Sequence, residues 1–261
     1  ATAPFTLHNL LPTCLHVQQQ RSGKILEKTT VATGESCPIV FDATLFLRVD
    51  GCRWSRGFLF EPGVEHEIAL PLATSATALS IDVDVRMDVD RVDVRTKFWV
   101  VNHTGLDLQF HSGASVLPVV PSPALEGQDP LSEHPRMLAK KVDAPVQVRV
   151  NDGNCPWSKP NDCDRAGTHH AVHWDPRHAT PYDIYCQVDN GPYLNRLGLT
   201  RIIQLHPKFL ILNETGDDLF AAQRGMQDRI RCPPKCPTPF YFGAGERRLA
   251  FAADHTSAPT A

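Results

Sequence analysis

Residues 98–110 read FWVVNHTGLDLQF and residues 209–221 read FLILNETGDDLFA. Each stretch is an apolar run, then Asn-x-Thr-Gly, then alternating apolar residues. An internal repeat of this kind constrains a fold more than any single motif does. A weaker copy, PFTLHNLLPTCLHV, is centred on Asn9 and lacks the Thr-Gly pair. Further landmarks keep the same order. LFLRVDGCRWSRGFLF follows Asn9 and VQVRVNDGNCPWSKP follows Asn102, with shared Trp-Ser pairs at Trp54-Ser55 and Trp157-Ser158. RRLAFAAD, after Asn213, opens the same strand again, and the sequence stops before a third Trp-Ser. The reading is two near-complete units and the opening half of a third, at 1–96, 97–207 and 208–261. A period of about 100 residues is longer than a solenoid repeat, so each unit is expected to be a small domain with its own core.

The pattern within the units is β. Ile81, Val83, Val85, Met87 and Val89 alternate with Asp82, Asp84, Arg86, Asp88 and Asp90, which buries one face and wets the other. Val92 and Val94 reverse the parity, so a turn or bulge is expected near Arg91. No amphipathic stripe supports a helix longer than about two turns. Many short strands with Gly/Pro turns predict an all-β protein of tandem β-sandwich-like repeats. Segments 121–137 and 151–181 read as loops, and Pro121-Ser122-Pro123 reads as a loop stiffener. Trp54 and Trp157 are expected to pack as core aromatics at the far end of their units.

The Asn of each copy has a physical role of its own. An Asn where a strand enters a turn accepts from the backbone N–H two residues on, and its amide donors are free to hold a neighbouring loop. Gly105 supplies a turn position open to positive φ. The spelling N-x-T is also a glycosylation acceptor, but an Asn ending an apolar strand is poorly placed for a glycan.

Other chemistry is weakly represented. The net charge of −3 offers no electrostatic footprint for nucleic acid. No run of about 18 apolar residues suits a membrane-spanning helix. The start, ATAPFTLHNLLPTCLHV, has no basic segment followed by a long apolar one, and reads as a strand entered midway rather than a signal peptide. Phosphate loops and nucleophile or zincin motifs are absent, so neither an enzyme nor a small-molecule substrate is expected. The Asp run at 82–90 reads as a solvated strand face rather than a calcium loop. Cys163, His169 and His173 have the spacing of a zinc half-site, with Cys155, His170, Cys232 and Cys236 as further ligand types. No close Cys-x2-Cys pair anchors them, so neither metal nor cofactor is expected. Eight cysteines (Cys14, Cys37, Cys52, Cys155, Cys163, Cys186, Cys232 and Cys236) permit disulfides in a secreted chain. A chain of this length has no need of them, and reduced thiols in the cytoplasm are expected. The competing reading is a secreted, glycosylated, lectin-like β-sandwich with disulfides.

Strand–Asn–x–Thr–Gly, the Trp-Ser pairs, the paired alternating strands and PKFLILN at 207–213 together resemble the vacuolar protein sorting-associated protein 13 family. The likeness is to its adaptor-binding region, formerly called SHR-binding, and covers nearly the whole chain. It is most specific at 97–110, 155–160 and 200–216, and the first copy departs from it at LHNLLPT. The resemblance implies a region of six β-rich repeats, each with a characteristic Asn, within a very long bridge that carries glycerolipids between organelles. It implies that such a region binds adaptor proteins through short Pro-x-Pro motifs. The protein is then held peripherally, through those adaptors, at membrane contact sites. By this likeness Asn9, Asn102 and Asn213 are the repeat asparagines and the binding residues expected here.

Overall fold

The computed structural model describes residues 5–11, 13–61, 63–71, 73, 78–86, 90–96, 98–112, 115–120, 138–139, 145–163, 165–174, 182–190, 201–243 and 246–253. These hold 21 strands and no helix, as the period-two patterning predicts. The first group is β1 (Phe5–Asn9), β2 (Leu15–Arg21), β3 (Lys24–Val31), β4 (Ser36–Ile39), β5 (Thr44–Val49), β6 (Glu65–Pro71), β7 (Ala78–Arg86) and β8 (Arg91–Arg95). The second is β9 (Phe98–Asn102), β10 (Leu108–Ser112), β11 (Ser115–Val120), β12 (Leu138–Ala139), β13 (Val146–Val150), β14 (Thr168–Ala171), β15 (Ile184–Asn190) and β16 (Arg201–Pro207). The last is β17 (Phe209–Leu212), β18 (Leu219–Gln223), β19 (Ile230–Cys232), β20 (Pro237–Phe240) and β21 (Leu249–Ala252).

Sheet topology repeats with the sequence. The first group makes a five-stranded sheet, β4-β1-β8-β7-β6, and a three-stranded one, β3-β2-β5. The second makes β12-β9-β16-β15-β14 and β11-β10-β13 in the same arrangement. In each five-stranded sheet one pair is parallel, β1 with β8 and β9 with β16. The last group repeats the opening, with sheets β17-β20 and β19-β18-β21.

Alternation explains the layers. Leu45, Leu47 and Val49 of β5, and Val146, Val148 and Val150 of β13, point into the sandwich and are buried. Leu15 and Leu108 are 0% exposed at matching positions, where burial of each side chain is worth about 1.5–3 kcal/mol. One continuous cluster runs from Leu7 through Phe98 and Trp99 to Leu205, so the core of the first group joins that of the second rather than standing apart. A smaller cluster of Ile211, Ala221, Cys232, Phe240 and Phe242 serves the last group.

Turn chemistry sets the registers. Ser22 and Gly23, with φ of 50° and 76°, close the two-residue hairpin between β2 and β3. The parity reversal near Arg91 is a turn: β7 and β8 pair as a hairpin, Arg86 opposite Arg91, and Asp90 has φ of 47°. The side chains of β7, Met87–Val89 and Pro121–Pro123 lie outside the described residues.

Besides the shared core of the first two groups, two expectations need correction. Thr168–Ala171, read as loop, is the edge strand β14 paired with β15. THHA is too short and too polar to show alternation, and pairing alone makes it a strand. Trp54 and Trp157 are half-buried rather than core. They lie beneath the guanidinium groups of Arg48 and Arg149, at 5.2 and 4.5 Å from the ring centres. The serines beside them take the interior. Ser55 Oγ accepts from Leu47 N–H and Ser158 Oγ from Val148 N–H, each at 2.9 Å.

Candidate functional site

Each repeat asparagine sits where the first strand of its group gives way to a turn. Asn9 and Asn102 end β1 and β9, and Asn213 follows β17. All three are buried, at 0%, 4% and 1% exposure. Each Oδ1 accepts the N–H two residues on, at 3.0 Å: Leu11 for Asn9, Thr104 for Asn102 and Thr215 for Asn213. Each Nδ2 donates to the carbonyl four residues on: Thr13 at 2.8 Å, Leu106 at 2.7 Å and Asp217 at 2.8 Å.

The same nitrogen of Asn9 also donates to Val31 at 2.9 Å, and that of Asn213 to Cys232 at 2.7 Å. Both carbonyls end the strand facing the second strand of the group, β3 and β19. The amide thus knits the opening strand, its turn and the opposite sheet. Asn9 makes this full set without the Thr-Gly pair, so the pair is an addition to the device and not its basis.

The threonine adds a hydroxyl bond. Thr104 Oγ1 and Thr215 Oγ1 each donate to the Oδ1 of their own asparagine at 2.7 Å. The glycines differ. Gly105 has φ of 76°, whereas Gly216 is outside the left-handed region. A Cβ at Gly105 would stand 3.0 Å from Pro239 Cγ, while the space at Gly216 is open. Both sequon nitrogens face inward on saturated or near-saturated bonds, and a glycan there would need room that the packing does not leave.

The second turn is also a junction. Tyr241 Oη donates to the carbonyl of Thr104 at 2.6 Å and packs edge-on against Tyr182, ring centres 5.6 Å apart. Burial, the largest effect, pushes the Tyr241 phenol well above its ordinary value. Arg247 pairs with Asp183 at 3.2 Å, and Lys208 N–H donates to the Asp183 carbonyl at 2.9 Å. Pro239 belongs to Pro237-Thr238-Pro239, an extended segment of β20 antiparallel to β17. This contact was spelled in the sequence as CPTPF, but nothing local showed which turn it would meet.

His103 and His206 stack above the same junction, ring centres 4.7 Å apart. Burial first, and His103 second, push the His206 pKa down to about 4. Among the described residues no three His, Cys, Asp or Glu side chains gather as a metal site. Cys163 is buried, while His169 and His173 are exposed. All eight cysteines are free thiols, with Cys37, Cys52, Cys155, Cys163, Cys186 and Cys232 buried. Burial raises the Cys37 and Cys52 thiols to about 11, which makes them poor nucleophiles.

Repeated two-layer β units with asparagine-held turns define a tandem-repeat β module. The chain belongs to the family described as vacuolar-sorting associated protein 13, adaptor binding domain, whose model matches residues 1–253. No curated protein matches the chain. The family makes it an adaptor-binding module. Among the described residues no helix is long and apolar enough to cross a membrane.

Proposed function

We propose that the chain is a non-catalytic reader of short Pro-x-Pro motifs in adaptor proteins. By binding them it places a lipid-transfer bridge, peripherally and from the cytoplasmic side, at organelle contact sites. The units at 1–96, 97–207 and 208–261 are the repeats of this reader. Membership of the adaptor-binding family supports the reading. The observation that carries the motif part is internal. Pro237-Thr238-Pro239 lies extended against β17, and its Pro239 ring covers Gly105 in the asparagine turn of the preceding repeat. This β surface therefore accommodates a Pro-x-Pro segment as a strand, where preformed extension keeps the entropy cost low.

Asn9, Asn102 and Asn213 contribute by holding the turns, since their buried amides present no surface to a ligand. The exposed residues Glu214, Thr215 and Gly216 would make the contacts in the last repeat. The test is fluorescence anisotropy of a labelled Pro-x-Pro peptide titrated with the chain, beside an Asn213→Ala variant of intact fold. Saturable binding that the variant weakens is expected. A peptide that binds neither protein, under conditions where both are folded, counts against motif reading by these repeats.

A further inference from the structure

The first two groups carry the same cation on the outer face of their three-stranded sheets. Arg48 in β5 stands opposite His16, and Arg149 in β13 stands opposite Gln109. Leu47 and Val49 point into the sandwich, as do Val148 and Val150, so the arginine between each pair points out. Each guanidinium rests over the indole of its Trp-Ser segment, Trp54 at 5.2 Å and Trp157 at 4.5 Å. All four side chains are half-buried. In the last group the matching residue, opposite Phe220, is Ala252, so the β pattern itself does not call for the cation.

Among the described residues no carboxylate answers either charge. Arg48 Nε is buried and has no hydrogen-bond partner among them, and Arg149 Nε donates to the neutral amide oxygen of Gln109 at 2.7 Å. The carboxylates next along the chain are engaged elsewhere. Asp50 bonds His16 at 2.9 Å. Asp152 accepts from the Asn154 and Cys155 N–H groups at 2.9 and 2.7 Å and from Tyr182 Oη at 3.0 Å. The two terminal nitrogens of each arginine are left for an acceptor from outside. A second cation follows each tryptophan by two residues, Arg56 and Lys159, and both are exposed.

This arrangement selects its ligand. A guanidinium held over an indole has already given up much of its rotamer freedom, so an acceptor gains its bonds at little further entropic cost. The planar fork of donors matches a carboxylate in a bidentate pair. An anionic membrane suits it less well. Surface attraction of that kind draws on clusters of about 4–8 basic residues. Each group here presents one fixed guanidinium and one exposed neighbour, on a chain of net charge −3.

We propose that the Arg48–Trp54 and Arg149–Trp157 pairs are two docking points for an acidic peptide segment of a partner protein. Each pair takes one carboxylate end-on against its guanidinium, with Arg56 or Lys159 adding a second positive charge nearby. The inference goes beyond Pro-x-Pro reading and does not depend on it, because it uses neither the asparagine turns nor β20.

The probe is the peptide GELEELEG, with GQLQQLQG as its neutral counterpart. Each is titrated into the full chain while the indole Nε1–H signals are followed by NMR. Saturable shifts at Trp54 and Trp157, with a Kd below about 1 mM, are expected from the acidic peptide alone, and none at the core residue Trp99. Arg48→Gln should abolish the response at Trp54 and spare that at Trp157, and Arg149→Gln the reverse. Replacing both arginines by lysine keeps the charge without the fork, so affinity should fall about tenfold, as for one lost bond to a charged group. The Leu47 and Val148 amides, bonded to Ser55 and Ser158, should keep their positions in these variants and so report an intact sheet. Asn213→Ala should leave the indole responses as they are, whatever it does to a Pro-x-Pro peptide, so the two readings fail separately. No shift at either indole up to about 1 mM peptide, equal shifts with GQLQQLQG, or equal binding by the double glutamine variant overturns the proposal. So does binding to phosphatidylserine vesicles that depends on both arginines while the acidic peptide leaves both indoles unmoved, which would make the pairs a lipid contact.

Discussion

The Tyr241 hydroxyl donates to the Thr104 carbonyl at 2.6 Å and thereby ties the strand end after β20 to the asparagine turn after β9. The partners are 137 residues apart in sequence, and the Thr104 end is fully buried. This one bond couples the geometry of one repeat's turn to the placement of the next repeat.

Tyr241→Phe keeps the ring packing on Tyr182 and deletes the donor. The expected cost is about 1–2 kcal/mol, with the carbonyl of Thr104 left unpaired. Urea denaturation reads this as a lower midpoint at unchanged slope. An unaltered midpoint would show that water replaces the phenol and that the tie carries no energy.

Asn213→Ala should destabilise by about 1–3 kcal/mol, and Asn9→Ala by a similar amount despite its different spelling, because the two side chains share three bonds to backbone groups and Asn213 adds only the Thr215 hydroxyl. Asn213→Asp is the more telling variant. It keeps the Oδ1 acceptor but turns a carboxylate toward the Asp217 and Cys232 carbonyls, so its own pKa should rise on folding. A raised carboxyl pKa gives stability at low pH that is lost as pH increases. Thermal melts of the variant at pH 4 and pH 7 should therefore diverge, relative to the parent, in favour of the acid condition; parallel melts would refute the donor role.

His206 supplies the opposite dependence. Its folded pKa is pushed down to about 4, from an ordinary value of 6.5. The neutral form is the one that folds, so its contribution is complete above pH 6.5 and is lost as pH falls toward 4. Denaturation midpoints taken from pH 7.5 down to pH 4.5 should decline more steeply for the parent than for His206→Phe. Identical slopes would mean that the imidazole is not buried against His103 in solution.

Thiol chemistry separates the cytoplasmic reading from a secreted, disulfide-bearing one. Denatured protein should show eight reactive thiols, matching the eight free cysteines. Native protein should react first at Cys14 and Cys236, which are only part-buried, and last at Cys37 and Cys52, whose thiols are raised to about 11. Glycosidase treatment should leave the mass of the chain, expressed with a secretion leader, unchanged at the buried Asn102 and Asn213. A thiol count of two or fewer in denaturant would reverse the compartment.

Much of the architecture was legible because β alternation and turn residues are local signals. The order strand, Asn, turn, strand, Trp-Ser returns as the same strand order in space, and the Asx bond from the residue two on was predictable from the Asn alone. The β14 strand was not legible, since THHA becomes a strand only through pairing with β15. The tryptophans misled for a related reason. Apolar character says that a ring seeks cover, but not whether the core or an arginine side chain above it supplies that cover.

What the residues decide on their own, then, is the repeat, the β class and the device at Asn9, Asn102 and Asn213. Each depends on chemistry within a few positions of one chain segment. Tertiary structure alone decided that one core runs through the first two groups, that Pro239 covers Gly105 while Gly216 stays open, and that Tyr241 reaches the turn at Thr104. Those outcomes depend on which surfaces meet across a hundred residues or more, and no local propensity encodes the partner of an edge or the neighbour of a turn.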